Sequence, residues 1–267
     1  MAIDREQKIR IEELVKNILI RRMGNFPEDD SEVRNAPFHH LFLRAFEDKL
    51  KKFNIKTPFL IALSSWMHGL NTSLGSGFED LAHILSGGFK RKFTGQSALN
   101  VKKTQAVNIE NIIRELKSGE IVPDLKRENE LIFDFKEDDQ ETRSLGFTAD
   151  NYIENNSIVE AIEIKSVRPN SGEGRGEKQK ILYGKAAFKL MNRNKKINFY
   201  IGFPFDPTAS KSTDYDKERF FKYLIEFKKF FDPEEVLIGP ELWDHLSGSK
   251  GTMEEMLEII SNVVKRY

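Results

Sequence analysis

The feature of this sequence that most constrains its fold is a short apolar segment in the middle of the chain, residues 158–167. Side chains alternate between the two faces of a strand, and here both sets are apolar. Val159 and Ala161 belong to one set, and Ile162 and Ile164 to the other. A strand of this composition has to be covered on both faces, as strands are in α/β proteins. The sequence therefore predicts an α/β fold.

The segments around this strand extend the pattern. Residues 130–136 and 146–154 are rich in Ile, Phe and Tyr and predict two strands before it, which would form a meander. Residues 178–191 show helical spacing, and residues 197–203 form another strongly apolar segment that predicts a strand. We therefore expect a mixed central β-sheet flanked by helices.

The parts of the chain on either side of this region are predicted to be mostly helical. Apolar residues recur there at helical spacing, and a Gly/Ser turn is expected at residues 73–78. The predicted helices cover residues 9–19, 38–50, 58–70, 79–85, 109–116, 220–231 and 252–264. We interpret residues 1–267 as a single domain. It would have a mainly helical part (1–120), a sheet core (121–210) and C-terminal helices (211–267).

Composition excludes some classes of protein and leaves others open. The 42 basic residues balance the 42 acidic ones, so no overall positive field indicates a nucleic-acid binder. Basic residues are nevertheless concentrated in residues 89–103 and 163–196. The absence of cysteine excludes disulfides and thiolate metal sites. No apolar run approaches the roughly 18 residues of a membrane span, and no signal peptide is recognisable, which predicts a cytoplasmic protein without a membrane partner.

The chemistry is predicted to lie on the central strand. Glu163 and Lys165 share one of its faces, and Asp150 in the preceding strand would lie nearby in a hairpin. Burying these charges is costly without compensation. Mg²⁺ prefers oxygen ligands and keeps several of its waters, so Asp150, Glu163 and the Ile164 carbonyl could hold it. Lys165 could then assist the attack of water on a phosphodiester.

The Glu-x-Lys pattern is not selective by itself. It also occurs four times in predicted helices, where residues i and i+2 do not face each other. A rival set consists of Asp124 followed by Asp134 and Lys136, in a strand-like context. We favour Glu163 and Lys165 because a basic helix and a strong strand follow them directly. Taken alone, the pattern favours a structural Glu–Lys ion pair on a partly exposed strand.

A family resemblance favours the catalytic interpretation. The stretches FTADNYIE (147–154) and AIEIKSVRPNSGEGRGEKQKIL (161–182) resemble type II restriction endonucleases of the PD-(D/E)xK superfamily, most closely the TdeIII-type group. The resemblance covers residues 150–205 and implies that the mixed sheet is a restriction-endonuclease-like core. It implies that Asp150 and Glu163 are metal ligands and that Lys165 is the catalytic lysine. The sequence departs from the pattern at Ala149, where the family has proline.

The resemblance also extends to two further segments. It implies that Glu79, from an early helix, lies beside the metal, although an acid in a first helical turn is also favoured by the helix dipole. Gln179 and Tyr183 match a Q-x-x-x-Y element of related nucleases, which gives Gln179 an active-site role and leaves Tyr183 as a possible core residue. The scattered histidines, including His83, are expected to have core or surface roles.

The glycine-rich basic segment after the catalytic strand is predicted to contact DNA. Glycines would let the backbone approach phosphate, and arginine can make bidentate contacts to guanine or phosphate. We expect most of these side chains to contact the DNA backbone and Arg175 to read a base. The predicted contacts are Arg168, Asn170, Arg175, Lys178 and Lys180.

The predicted function is Mg²⁺-dependent hydrolysis of double-stranded DNA at a short palindrome by a homodimer. The family resemblance implies a site such as GGNCC and a cognate DNA methyltransferase as biological partner. Two alternatives remain open at this point. One is a structure-specific repair or recombination nuclease, and the other is a non-catalytic DNA-binding module.

Overall fold

The centre of the molecule is a mixed five-stranded sheet, seen in a computed structural model that describes residues 2–28, 35–165 and 171–267. The strands are β1 (Phe89–Phe93), β2 (Asn100–Lys102), β3 (Glu141–Arg143), β4 (Phe147–Glu154), β5 (Ile158–Ile164), β6 (Lys196–Phe203) and β7 (Val236–Ile238). The helices are α1 (Arg5–Met23), α2 (Pro37–Arg44), α3 (Glu47–Lys52), α4 (Thr57–Ser86), α5 (Lys103–Ser118), α6 (Leu125–Phe133), α7 (Ser171–Met191), α8 (Lys217–Tyr223), α9 (Ile225–Lys228), α10 (Pro240–Ser247) and α11 (Thr252–Val264).

The strand order of the main sheet is β1-β4-β5-β6-β7. The first three strands pair antiparallel, whereas β5, β6 and β7 run parallel. Helix α7 is the crossover that connects the parallel strands β5 and β6, as parallel pairing requires. Strands β2 and β3 form a separate two-stranded sheet. The predicted α/β fold with a mixed sheet flanked by helices is confirmed.

Both faces of the sheet are buried, as the composition of the central strand predicts. Val159 and Ala161 belong to one apolar core, which includes buried side chains of α5, α7 and the segment around α8 and α9. Ile162 belongs to a second core with buried residues of α1, α4, α10 and α11. Each face of β5 therefore packs against its own helical layer. In the part of the chain that is described, no helix is long and apolar enough to cross a membrane.

Helix α4 corrects the turn predicted at residues 73–78, because it continues for 30 residues through that segment. Its glycines allow close helix packing instead of a turn. A Cβ on Gly77 would lie 3.0 Å from the Ile18 side chain of α1, and one on Gly69 would lie 2.4 Å from Arg22. Burial against α1 thus outweighs the cost of about 1 kcal/mol per glycine in a helix.

The strand predicted at residues 130–136 is also wrong, since this segment lies largely in α6. The Asp124 carboxylate accepts a hydrogen bond from the Arg127 N–H at 2.9 Å and caps the helix. Ile132 is buried in the core, and Asp134 stands at the C-terminal cap. The rival motif of Asp124 with Asp134 therefore consists of the two caps of a helix, which excludes it as a strand-borne catalytic set.

The helix predicted over residues 38–50 is split into α2 and α3 and is not buried. Phe38, Leu41 and Phe42 lie at positions i, i+3 and i+4 of α2 and so share one face. They are 75%, 59% and 76% exposed. The apolar stripe of α2 therefore faces solvent in the single chain, instead of the core.

Four charged side chains are buried together where α6, α7 and the start of β7 meet. Glu235 forms ion pairs with Lys185, whose Nζ atom lies 2.9 Å away, and with Lys178. Lys178 also forms an ion pair with Glu128. Each of the four is at most 2% exposed. Burial acts to raise the pKa of Glu235, but the two lysines outweigh it and hold this pKa at about 2. This buried ion cluster anchors α7 to the C-terminal half of the chain.

We predict that Glu235→Gln destabilises the protein strongly, because it leaves two buried ammonium groups short of a counter-charge. Removing one partner of a buried pair costs about 3–5 kcal/mol, which urea denaturation at pH 7 would measure. Since the pKa of Glu235 is lowered in the folded state, its contribution is complete above about pH 4.5 and is lost as the pH falls towards 2. The difference between variant and wild type should shrink over that range.

The matched control is Glu226→Gln, which breaks an exposed ion pair with Lys229 on the surface. Exposed pairs contribute little, so the unfolding midpoint of this variant should equal that of the wild type. Equal midpoints for Glu235→Gln and the wild type at pH 7 would contradict the anchoring role of the buried ion cluster.

Candidate active site

The candidate site lies where β4 and β5 separate. These strands pair antiparallel, with Asn151 opposite Ile162. Asp150 Oδ2 accepts a hydrogen bond from the Ile164 N–H at 3.0 Å, so the carboxylate replaces a ladder partner at this point. His83 Nε2 lies 2.7 Å from the Asp150 carbonyl oxygen. The side chain and the backbone of Asp150 are therefore both held.

A bulge in β4 brings Asp150 to this position. Strand β1 pairs Phe89 with Tyr152 and Arg91 with Ala149, which gives β4 one extra residue between the two pairs. Ala149 and Tyr152 are three residues apart, yet both lie in the same core. A bulge interrupts the alternation of side chains and can re-aim one of them. Here it frees Asp150 from the regular pattern and directs it towards β5.

Glu163 lies at the end of β5, is 5% exposed, and faces α7. Its Oε1 atom contacts Lys165 Nζ at 2.9 Å and Lys180 Nζ at 2.7 Å. Its Oε2 atom is buried and has no hydrogen-bond partner among the described residues. A buried carboxylate oxygen without a partner is costly, and this one marks the place where a cation or a proton would be accommodated.

Helix α7 adds a second carboxylate that contacts the same two lysines. Glu177 Oε1 lies 2.8 Å from Lys165 Nζ, and Glu177 Oε2 lies 2.6 Å from Lys180 Nζ. Glu163, Lys165, Glu177 and Lys180 thus form a closed ring of alternating charges, which we call the charge ring. Their side chains are between 7% and 19% exposed.

A second pair of elements approaches Asp150 from the other side. Lys90 of β1 places its Nζ atom 2.6 Å from Glu79 Oε2 and 3.4 Å from Asp150 Oδ1. Glu79 lies in the last two turns of α4. Among the described residues, the site therefore combines four carboxylates with three ammonium groups, contributed by two helices and three strands or strand ends.

Comparison with known proteins assigns this chain to a family. The family described as "Type II restriction endonuclease, HinfI" matches residues 3–264. The type II restriction enzyme MjaII of Methanocaldococcus jannaschii is 46% identical over 265 residues, which covers 97% of this chain and 70% of that enzyme. The chain belongs to the HinfI family of type II restriction endonucleases. It is therefore an enzyme of the site-specific deoxyribonuclease class.

In this restriction endonuclease the site shifts the protonation of its own groups. Burial raises the pKa of Glu163 to about 7; the charge of Asp150 adds to this effect, and Lys180 and Lys165 oppose it. Burial also acts to lower the pKa of Lys165, but Glu163 and Glu177 outweigh it and raise this pKa. Lys165 is consequently held as an ammonium group, suited to stabilising negative charge.

The donor set fits a hard divalent cation. Glu163 Oε2 has no partner, Asp150 Oδ1 is contacted only by an ammonium group among the described residues, and both atoms are carboxylate oxygens. Mg²⁺ is commonly bound through one or two carboxylates with the remaining positions filled by water and substrate. As the side chains stand, no three acidic or histidine side chains of the described residues form a ready-made metal cluster. Lysines hold these acids instead.

The three residues predicted to act together do lie together in this restriction endonuclease. Asp150 contacts the backbone next to Glu163, and Glu163 contacts Lys165. Glu79, predicted beside the metal, is joined to Asp150 through Lys90. The structure therefore assembles the predicted catalytic group, whereas the catalytic roles of its members stay predictions.

Other predicted site residues fall elsewhere. Gln179 lies on the side of α7 that carries Tyr183, whose hydroxyl donates to Glu110 at 3.3 Å. Within the described residues no hydrogen bond connects Gln179 to the candidate site, and Glu177, two positions earlier, lies in it instead. Sequence reasoning missed Glu177 because its spacing from Lys180 is that of an ordinary surface helix pair.

The residues predicted to contact DNA also lie in different parts of the structure. Lys178 is a correction, since it is completely buried in the ion cluster with Glu128 and Glu235 and cannot reach DNA in this fold. Lys180 is a member of the charge ring, and Arg175 is exposed on the first turns of α7. Arg168 and Asn170 lie outside the described residues.

Proposed function

We propose that this restriction endonuclease hydrolyses phosphodiester bonds of double-stranded DNA with Mg²⁺ as cofactor, in the manner of PD-(D/E)xK enzymes. The observation that supports this proposal is the convergence of Asp150 and Glu163 at the diverging ends of two adjacent strands, with Lys165 against Glu163. The family assignment supplies the reaction class.

The residues that would hold the cation are Asp150 through Oδ1, Glu163 through Oε2, and Ile164 through its carbonyl oxygen. The N–H and C=O groups of one strand residue point to the same side. Because the Ile164 N–H donates to Asp150, its carbonyl is directed to the same side of the strand. A bound Mg²⁺ would polarise a phosphoryl oxygen and lower the pKa of a bound water.

The chain's own cations would act on the phosphate that enters this site. Lys165, fixed between Glu163 and Glu177, presents an ammonium group that can orient the attacking water and stabilise charge on the phosphorus centre. Lys180 is fixed by the same carboxylates. The four carboxylates exceed the three ammonium groups by one charge. Uptake of a divalent cation would therefore remove the excess negative charge of these described groups and favour the approach of DNA phosphate.

The finer specificity assignments are part of the same proposal. The TdeIII-type resemblance and the GGNCC site that it implies stay predictions, as does the cognate methyltransferase. The name of the MjaII relative supports restriction over a repair function. The single-domain organisation is likewise proposed, since one sheet connects the residues of all three parts.

A homodimer is proposed for two reasons, the two-fold symmetry of a palindromic DNA site and the exposed apolar stripe of α2. A two-fold dimer presents the same site twice to a palindromic sequence. The α2 stripe (Phe38, Leu41 and Phe42) leaves three large apolar side chains in solvent, and such faces are typical of interaction surfaces. We propose that a second copy of this chain covers it.

The activity is tested by digesting a plasmid of known sequence with purified enzyme and Mg²⁺, then sequencing the fragment ends. We expect a discrete set of fragments whose ends define one short palindrome, and no cleavage when EDTA removes the metal. Cleavage confined to branched substrates, or binding without cleavage in Mg²⁺ and Mn²⁺, would contradict the proposal. Fragment ends at a sequence other than GGNCC would remove only the specificity assignment.

The role of the lysine is tested with Lys165→Met, which removes the ammonium group and keeps the length of the side chain. We expect single-turnover cleavage to fall by at least about 10²-fold, with binding of cognate DNA in Ca²⁺ unchanged. The matched control is Lys228→Met, because Lys228 is exposed on α9 and should leave both quantities unchanged. A parallel loss of binding and cleavage would refute a catalytic role for Lys165.

The dimer surface is tested with the double variant Phe38→Ser and Phe42→Ser. We expect sedimentation to show a dimer for the wild type and a monomer for the variant, because the interface loses its largest apolar groups. Val122→Ser is the control, since Val122 is equally exposed (79%) but lies between α5 and α6. A dimer that survives the double substitution would place the interface elsewhere.

A further inference from the structure

Two acids of the candidate site, Glu163 and Asp150, contact their lysines in different ways. Glu163 contacts both of its lysines through Oε1, and among the described residues Oε2 has no partner. Asp150 uses Oδ2 for the Ile164 N–H and meets an ammonium group only at Oδ1. The two carboxylate oxygens proposed as metal ligands therefore differ. Among the described residues, Glu163 Oε2 has no partner, whereas Asp150 Oδ1 is contacted by Lys90.

The position of Lys90 is set by the irregular pairing at the edge of the sheet. Strand β1 is the edge strand, and its register with β4 shifts between Phe89 and Arg91, on either side of Lys90. The same shift accommodates the extra residue of β4 near Asp150. The bulge that aims Asp150 at the site thus also brings Lys90 against it.

Lys90 contacts its carboxylates from the solvent side. Its side chain is 43% exposed, whereas the side chains of Lys165 and Lys180 are 19% and 15% exposed. A lysine side chain has a flexible four-carbon stem and a compact, hydrated charge. Lys90 can therefore leave Glu79 and Asp150 without rearrangement of the core, which the more buried lysines of the charge ring cannot do.

We propose that Lys90 is a resident counter-cation that covers Asp150 Oδ1 in the metal-free enzyme and competes with the divalent cation for it. This inference rests on the proposed function of Asp150 as a metal ligand. An ammonium group 3.4 Å from Asp150 Oδ1 and 2.6 Å from Glu79 Oε2 neutralises part of the charge that would attract the ion. Cation binding then requires that Lys90 moves away.

Displacement would give Lys90 a second role. Once released, its ammonium group stands at the edge of the site, next to the solvent from which DNA enters. A DNA phosphate that attracts Lys90 would free Asp150 Oδ1 for the cation. Conversely, a cation that displaces Lys90 from Asp150 would free its ammonium group to contact a phosphate. Such effects are reciprocal by linkage, so Lys90 couples cation binding to DNA binding.

The inference is tested by calorimetric titration of the DNA-free enzyme with Ca²⁺. We expect Lys90→Met to bind Ca²⁺ at least about tenfold more tightly than the wild type. Lys92→Met is the matched control, because Lys92 lies two residues along the same strand, is exposed, and should leave the affinity unchanged. Equal or weaker binding by Lys90→Met would overturn the inference, as would the absence of Ca²⁺ binding in every variant.

A second measurement needs no substitution in the site. Acetic anhydride labels exposed lysines, and mass spectrometry quantifies each of them. In the wild type, Ca²⁺ should increase labelling of Lys90 and leave that of Lys92 unchanged. Unchanged labelling of Lys90 at saturating Ca²⁺ would overturn the displacement.

Failure of this inference can be distinguished from failure of the proposed function. If Mg²⁺-dependent plasmid cleavage depends on Asp150 but Lys90→Met does not bind Ca²⁺ more tightly, only the role of Lys90 is wrong. If the wild type cleaves no DNA with Mg²⁺, the proposed function fails whatever the cation affinities are.

Discussion

The hydrogen bond from the Ile164 N–H to the Asp150 carboxylate is the contact on which the candidate site depends. It lies where antiparallel pairing between β4 and β5 ends, so a side chain takes the place of the next backbone acceptor. The bond brings one acid beside the backbone that supports Glu163. Without the bulge in β4, regular alternation would give Asp150 a different direction.

Helix α7 adds a second level of organisation. It returns the chain from β5 to the parallel strand β6, and one face of its middle turns carries Glu177 and Lys180 into the charge ring. Another face carries Lys178 and Lys185 into the buried ion cluster. The crossover that the sheet topology requires thus also supplies two of the four members of the charge ring.

Much of this arrangement could be predicted from the sequence, and the exceptions have physical causes. The central strand and the grouping of Asp150, Glu163 and Lys165 follow from alternation and from the family resemblance. The short edge strands β1 and β7 are not predicted, because they have too few residues to show the alternation of a strand. The sequence of β1 is interpreted as part of a basic patch. The role of Lys178 could not be predicted, because its partner Glu235 lies 57 positions away.

The double attachment of α7 has a consequence for how the enzyme loses its structure. Local opening generally begins in segments with few buried contacts. The charge ring is not confined to such a segment, because Lys178 and Lys180 are fixed on different faces of one turn of α7, one in the core and one in the candidate site. The charge ring is therefore tied through α7 to the buried ion cluster, so its arrangement depends on the same packing that holds the helix against the sheet.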